Sequence, residues 1–272
     1  MKYIDAVNHE SLEKGIMKLL NVTRKELNSI YNSIYYDIEK DPWQWIEDFI
    51  EDCVVDESLE YIQMYHLSRR LNGSDLRSNN NLDQLLLEET PISEFFKKYG
   101  VVFVKGNGHI DMYFNGKLQL LDDKLRYSNG NIYYVKSRLG YNKNQDYCVN
   151  GFAYRENLEE NCYFKSLSNC PELIGSIARL LNIDGMISDY YENSKYYCIK
   201  YLIPLSEVIF DMENPPETVR DKIIVFLNHS LCKLYYEWRD CSSLSDNNLI
   251  LRLSDYAMIN PEWFVSAEKI DI

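Results

Sequence analysis

Residues 61–70 read YIQMYHLSRR, and the fold class turns on this run. Tyr61-Ile62-Gln63-Met64-Tyr65-His66 alternates and is aromatic, which is the two-residue period of a strand. What precedes it has a different texture. Leu12, Ile16, Leu19 and Leu20 recur at the three-to-four-residue spacing of a helix. Thr23 can cap a second helix with Glu26 at the capping-box position, and Ile30, Ile34 and Tyr35 continue its face. Asp41-Pro42-Trp43 starts a third, with Asp as cap and Pro in the first turn. Trp45, Ile46, Phe49 and Ile50 then lie on one side, and Glu47, Asp48, Glu51 and Asp52 face water.

Downstream the signals mix. Thr90-Pro91 opens a helix that Gly100 ends. Val101–Lys105 and Ile110–Phe114 are strands, and Asn115-Gly116 is a hairpin turn into a third over 117–121. Asn129-Gly130-Asn131 reads as a turn before the run Ile132-Tyr133-Tyr134-Val135, which is strand-like. Cys148–Tyr154 and Tyr196–Leu205 are further strands; Pro171 and Glu217 mark the starts of long helices. The expectation is an α+β fold: a helical N-terminal subdomain over 1–58, then an α+β domain over 59–272 with a mixed, mostly antiparallel β core and flanking helices.

The 272 residues carry 46% hydrophobic and 26% charged side chains, 23 Tyr against 10 Phe, and a net charge of -13. That charge opposes general binding to nucleic acid, which needs clustered Lys and Arg. Seven cysteines without a C-x-x-C pair suit reduced, mostly buried thiols, and the scattered histidines argue against zinc. The absence of an apolar leader or of about 18 consecutive apolar residues leads us to expect a cytoplasmic chain without a membrane span.

The chemistry-bearing residues cluster on the opening run. On a strand, His66 and Ser68 share a face, where an imidazole and a hydroxyl can grip a ribose or an amide. Arg69 and Arg70 stand ready for phosphate. Arg138 and Arg252 lie among apolar neighbours, where a guanidinium is paired or binds an anion; Asp255 and Asp246 are the obvious partners for Arg252. His109 and His229 have no sequence neighbour that suggests catalysis.

The run Tyr65-His66-Leu67-Ser68-Arg69 resembles the His-x-[Ser/Thr] element that opens the catalytic fold of ADP-ribosyltransferases of the poly-ADP-ribose-polymerase and diphtheria-toxin type. RNA 2′-phosphotransferases share that fold. The resemblance implies NAD as substrate, with His66 and Ser68 holding its ribose and nicotinamide amide and Arg69 and Arg138 as further ligands. Asn79–Leu87 stands where the family has a loop and short helix. Tyr154 and Tyr163 would sandwich the nicotinamide, and Glu207 would be the acid at the ribose. Such a protein would serve as a bacterial or phage toxin or defence factor, acting on a protein or nucleic-acid target. The other reading is a non-enzymatic inhibitor or immunity-type factor that binds a protein partner through an acidic, tyrosine-rich surface.

Overall fold

Local caps set the helix starts in the computed structural model, which describes residues 2–37, 39–77, 79–121, 130–141, 147–240 and 248–271. Asn8 caps α1 (His9–Leu20) in a reciprocal box with Ser11, and Thr23 does the same for α2 (Arg24–Tyr36) with Glu26. Asp41 accepts the N–H of Trp43 at the start of α3 (Pro42–Asp52). The strand β1 spans Tyr61–Leu71, so it continues through Ser68, Arg69 and Arg70. It is followed by α4 (Leu82–Leu87) and α5 (Pro91–Lys98), the latter boxed by Thr90 and Ser93.

A small antiparallel sheet comes next: β2 (Val101–Lys105), β3 (Ile110–Phe114) and β4 (Lys117–Leu118). Asn115 and Gly116 both take left-handed φ, 49° and 76°, as the tight turn between β3 and β4 requires. The helix α6 (Gly130–Arg138) occupies the run expected as a strand. Ile132, Val135 and Leu139 bury at helical spacing, Val135 and Leu139 in the same core as Leu173, Ile174 and Ile177, so periodicity overrides the local preference of β-branched and aromatic residues. The expected Asn129 turn residue lies outside the described residues.

The remaining elements are β5 (Asn150–Phe152), α7 (Cys162–Leu167), α8 (Glu172–Leu181), α9 (Met186–Glu192), β6 (Ser194–Pro204), β7 (Ile209–Phe210), α10 (Val219–Trp238), β8 (Ile250–Arg252) and β9 (Phe264–Ile270). The fold is α+β with mostly antiparallel sheets.

The chain divides into two units, neither continuous in sequence. The first comprises Met1–Tyr65, Asn150–Asn161 and Lys200–Arg252, so the helices expected over 1–58 share a unit with later segments. Its strands run in the order β7-β8-β5-β1-β6, with Tyr65 opposite Phe152 and Gly151 opposite Leu251. Its central helix is α10, which α1 and α3 contact and which buries Ile223, Phe226, Leu227, Leu231 and Tyr235. The second unit comprises His66–Val149, Cys162–Ile199 and Leu253–Ile272. It holds the three-stranded sheet, the order β1-β6-β9, and a core of Phe96, Val101, Met112, Val135, Leu139, Ile177 and Tyr190. The strands β1 and β6 contribute one part to each unit.

Of the six described cysteines, Cys170, Cys198 and Cys232 are buried, Cys53 and Cys148 partly so, and Cys162 is exposed. Cys241 lies outside the described residues. Among the described residues no helix is long and apolar enough to cross a membrane.

Candidate functional site

Alternation along β1 sorts the opening run into two rows. His66, Ser68 and Arg70 fall on one face, all partly exposed, while Leu67 and Arg69 fall on the other. The structure therefore brings His66 and Ser68 together as expected and adds Arg70 to them. Asn79, 6% exposed, places its Nδ2 2.9 Å from His66 Nε2. With the amide so oriented, Nε2 accepts and the ring proton resides on Nδ1. Asn79 is itself held: its carbonyl accepts the N–H of Ile259. Asn81, two residues on and buried, donates to the Asp255 carbonyl and caps α4. Arg70 Nε donates to Ser68 Oγ at 2.8 Å, which leaves the serine its own O–H to donate.

Arg69 has a different task. Its Nε donates to Ser194 Oγ (2.8 Å), Nη1 to the Ser168 carbonyl (2.6 Å) and Nη2 to the Tyr191 and Ser194 carbonyls (2.9 and 3.3 Å). The guanidinium also lies 4.1 Å from the Tyr191 ring centroid, and the Arg69 carbonyl accepts from the Tyr190 hydroxyl at 2.7 Å. This is a clamp on backbone carbonyls, and it commits nearly all the donors that a phosphate would need.

The other expected residues lie on or beside separate elements. Tyr154, in the first unit, is 1% exposed. Its hydroxyl is 2.9 Å from Ser230 Oγ, its ring stacks on Phe226 at 6.1 Å, and Lys233 Nζ lies 5.8 Å from its centroid. Burial raises its phenol above the ordinary range. A ring so enclosed offers no face to a nicotinamide. Glu207, also in the first unit, is exposed on the turn after β6, its N–H bonded to the Pro204 carbonyl. Near it, Lys222 Nζ donates to the Leu205 and Ser206 carbonyls; burial lowers the lysine's pKa, against the pull of Glu207. In the second unit Tyr163 is 54% exposed on α7, and Arg138 ends α6 with Nε 2.9 Å from the Tyr134 hydroxyl. Arg252 pairs with Asp211 at 3.8 Å, across the register of β7 and β8, while Asp255 instead accepts the N–H of Tyr147; Asp246 lies outside the described residues.

Two clusters carry no clear mark in the sequence. His109 Nε2 and the Tyr141 hydroxyl both lie 3.0 Å from Asp111 Oδ1, and burial is the main cause that pushes Tyr141 up to about 12. In the first unit, His9 Nδ1 is 2.6 Å from Glu237 Oε2, and Lys233 bonds the other oxygen. The hydrogen bond to Glu237 raises the His9 pKa; burial opposes the Glu237 charge, yet His9 and Lys233 hold that carboxyl below its usual range. The only trace of this network in the sequence is the four-residue spacing of Lys233 and Glu237 on a helix.

No family model matches the chain, and no curated protein or solved structure matches it. The reading of the site rests on its own geometry. Among the described residues no three His, Cys, Asp or Glu side chains are grouped as metal ligands would be.

Proposed function

We propose that the His66–Ser68–Arg70 row binds the ribose and an adjoining phosphate of a dinucleotide, and that the protein is an ADP-ribosyltransferase-like enzyme using NAD in the cytoplasm. The observation that carries this is the single partly exposed strand face that presents imidazole, hydroxyl and guanidinium in succession. Steps of two residues along a strand cover about 6–7 Å each, a spacing suited to a sugar and a neighbouring phosphate. The fixed imidazole adds preorganisation, since Asn79 sets its tautomer and orientation.

In this reading His66 and Ser68 hold the nicotinamide-side ribose and amide, and Arg70 takes the phosphate role expected of Arg69. The bond from ribose C1′ to the nicotinamide nitrogen breaks, its electron pair leaving with nicotinamide. A nucleophile of the target then bonds to C1′, and its proton passes to water. Positive charge develops on the sugar between these events, and a carboxylate beside the sugar would stabilise it. Tyr154 has no part in the reading, because its ring is enclosed and its hydroxyl is engaged. Tyr163 remains the candidate for stacking. A toxin or defence role accords with such an activity.

The test is titration with NAD, read by thermal shift, together with chromatographic detection of released nicotinamide. The wild-type chain is expected to be stabilised by NAD. The His66→Ala/Ser68→Ala variant is expected to weaken binding about tenfold or more, from loss of two hydrogen bonds at about 1 kcal/mol each. Absence of both NAD stabilisation and nicotinamide release in the wild type refutes the proposal, as does equal binding by the double variant.

A further inference from the structure

The first unit carries an aromatic surface that its own packing leaves in water. Tyr35 and Tyr36, at the end of α2, are 51% and 77% exposed, and Trp238, at the end of α10, is 40% exposed. The rings are contiguous: Tyr35 lies 5.2 Å from Tyr36 and 6.3 Å from Trp238, and Trp238 stacks on buried Tyr235 at 6.2 Å. Single exposed apolar residues are ordinary, but adjoining exposed aromatics are the composition of contact surfaces.

Two further observations say what fits there. The guanidinium of Arg239, itself exposed, lies 5.4 Å from the Tyr35 centroid and 5.6 Å from that of Tyr235, so the surface already accepts a planar cation on its ring faces. The chain from the end of α2 through α3, residues 37–52, holds seven carboxylates and one lysine, and that lysine, Lys40, is paired with Asp48. Asp37 accepts from the Trp45 indole at 3.1 Å, and the charge of Asp41 is felt at Tyr236 of α10, secondary there to burial. Aromatic faces with Asp37 next to Tyr36 in the chain and Asp41 acting on Tyr236 complement arginine and lysine side chains and repel acidic ones.

We propose that the surface formed by Tyr35, Tyr36 and Trp238 docks a basic segment of a partner protein, with an arginine or lysine side chain lying on the rings. All three rings belong to the first unit.

The experiment uses the full chain with a peptide of about a dozen residues alternating Arg and Gly, and its Glu-Gly counterpart. Binding is followed on the indole N–H resonance of Trp238, assigned by Trp238→Phe. A saturable shift of that resonance is expected, weakening as salt rises from about 50 to about 500 mM. Tyr35→Ala/Tyr36→Ala is expected to lose about tenfold in affinity while keeping the wild-type melting curve, since both side chains are exposed. Several outcomes overturn the idea: no saturable binding, equal affinity in the double variant, shifts confined to the other tryptophans, or equal binding of the Glu-Gly peptide. A dimer that forms without peptide and that the double substitution dissolves assigns the surface to a second copy instead, and also overturns it.

Discussion

Arg69 and Arg70 are sequence neighbours with opposite duties, and their difference shows what one residue's surroundings decide. The strand turns Arg70 to the row with His66 and Ser68, whereas Arg69 is turned to the carbonyls of Ser168, Tyr191 and Ser194. Replacing Arg69 by Lys keeps the charge but cannot reproduce four hydrogen bonds in a planar fork. We expect Arg69→Lys to lower stability by about 1–2 kcal/mol, because buried Ser194 and the partly buried Ser168 carbonyl lose their donors; urea unfolding measures this. A variant as stable as the wild type that has lost its NAD response would reverse the assignment and make Arg69 a ligand. The pairing of His66 with Ser68 was legible from their spacing of two on a strand. The commitment of Arg69 and the enclosure of Tyr154 were not, since both depend on groups about 80 to 125 residues away, such as Ser230 and Ser194. His9 carries a pH dependence of definite sign. Its folded pKa is raised above the ordinary 6.5, chiefly by the hydrogen bond to Glu237. Its stabilising contribution is therefore fully present below about pH 6.5 and is lost as pH rises through the folded value. Urea midpoints of the wild type should fall across that window, and His9→Gln should remove this part of the fall. Parallel profiles for the two proteins would show that His9 contributes none of it. The lowered carboxyl of Glu237 acts at the other end: its contribution is present above the ordinary 4.5 and fades as pH falls through the depressed folded value.

Helices here declare themselves by their caps, and strands by what stops them. The box of Thr23 with Glu26 satisfies the backbone donors at the start of α2, with Thr23 N–H 2.7 Å from Glu26 Oε2. Thr23→Ala is expected to cost about 1 kcal/mol and Thr23→Ser almost nothing. Thermal unfolding of the two variants checks the pair; equal melting of Ala and Ser variants would mean the cap contributes nothing. Such caps are local chemistry over four residues, which is why α2, α3 and α5 were readable without tertiary information. The helix α6 shows the converse. Ile132-Tyr133-Tyr134-Val135 favours a strand residue by residue, but the buried apolar residues are Ile132, Val135 and Leu139, and that spacing of three and four shows over eight residues rather than four. The strand β1 runs five residues past His66 because a half-buried face tolerates Ser and Arg, so polarity gave no stop signal.

At the scale of the whole chain, a boundary drawn where texture changes differs in kind from one drawn where packing changes. Residues 1–58 look separable because they are helical and the following run is a strand. Yet α1 and α3 pack on α10, whose sequence begins more than 150 residues later, and all three lie in one unit with 200–252. Leu12, Ile16, Leu19, Ile46 and Ile50 are each 3% exposed or less. Burial of a side chain of this kind stabilises by about 1.5–3 kcal/mol. Five of them together contribute about 7–15 kcal/mol before the entropy of ordering the chain is set against it, large beside the 5–15 kcal/mol net stability of a typical domain. No periodicity reports which distant helix will cover a given apolar stripe, so this interleaving was not legible. It makes a direct prediction about truncation. A chain of residues 59–272 would keep α10 and lose the helices that cover it, so it should bind a dye specific for exposed apolar surface and unfold without a cooperative transition. Adding residues 1–58 as a separate polypeptide should restore a cooperative transition, because the missing surface is then supplied in trans. If 59–272 alone is monodisperse and melts cooperatively near the full-length temperature, the helical segment is an independent subdomain and the packing of α1 and α3 on α10 contributes little to holding the fold together.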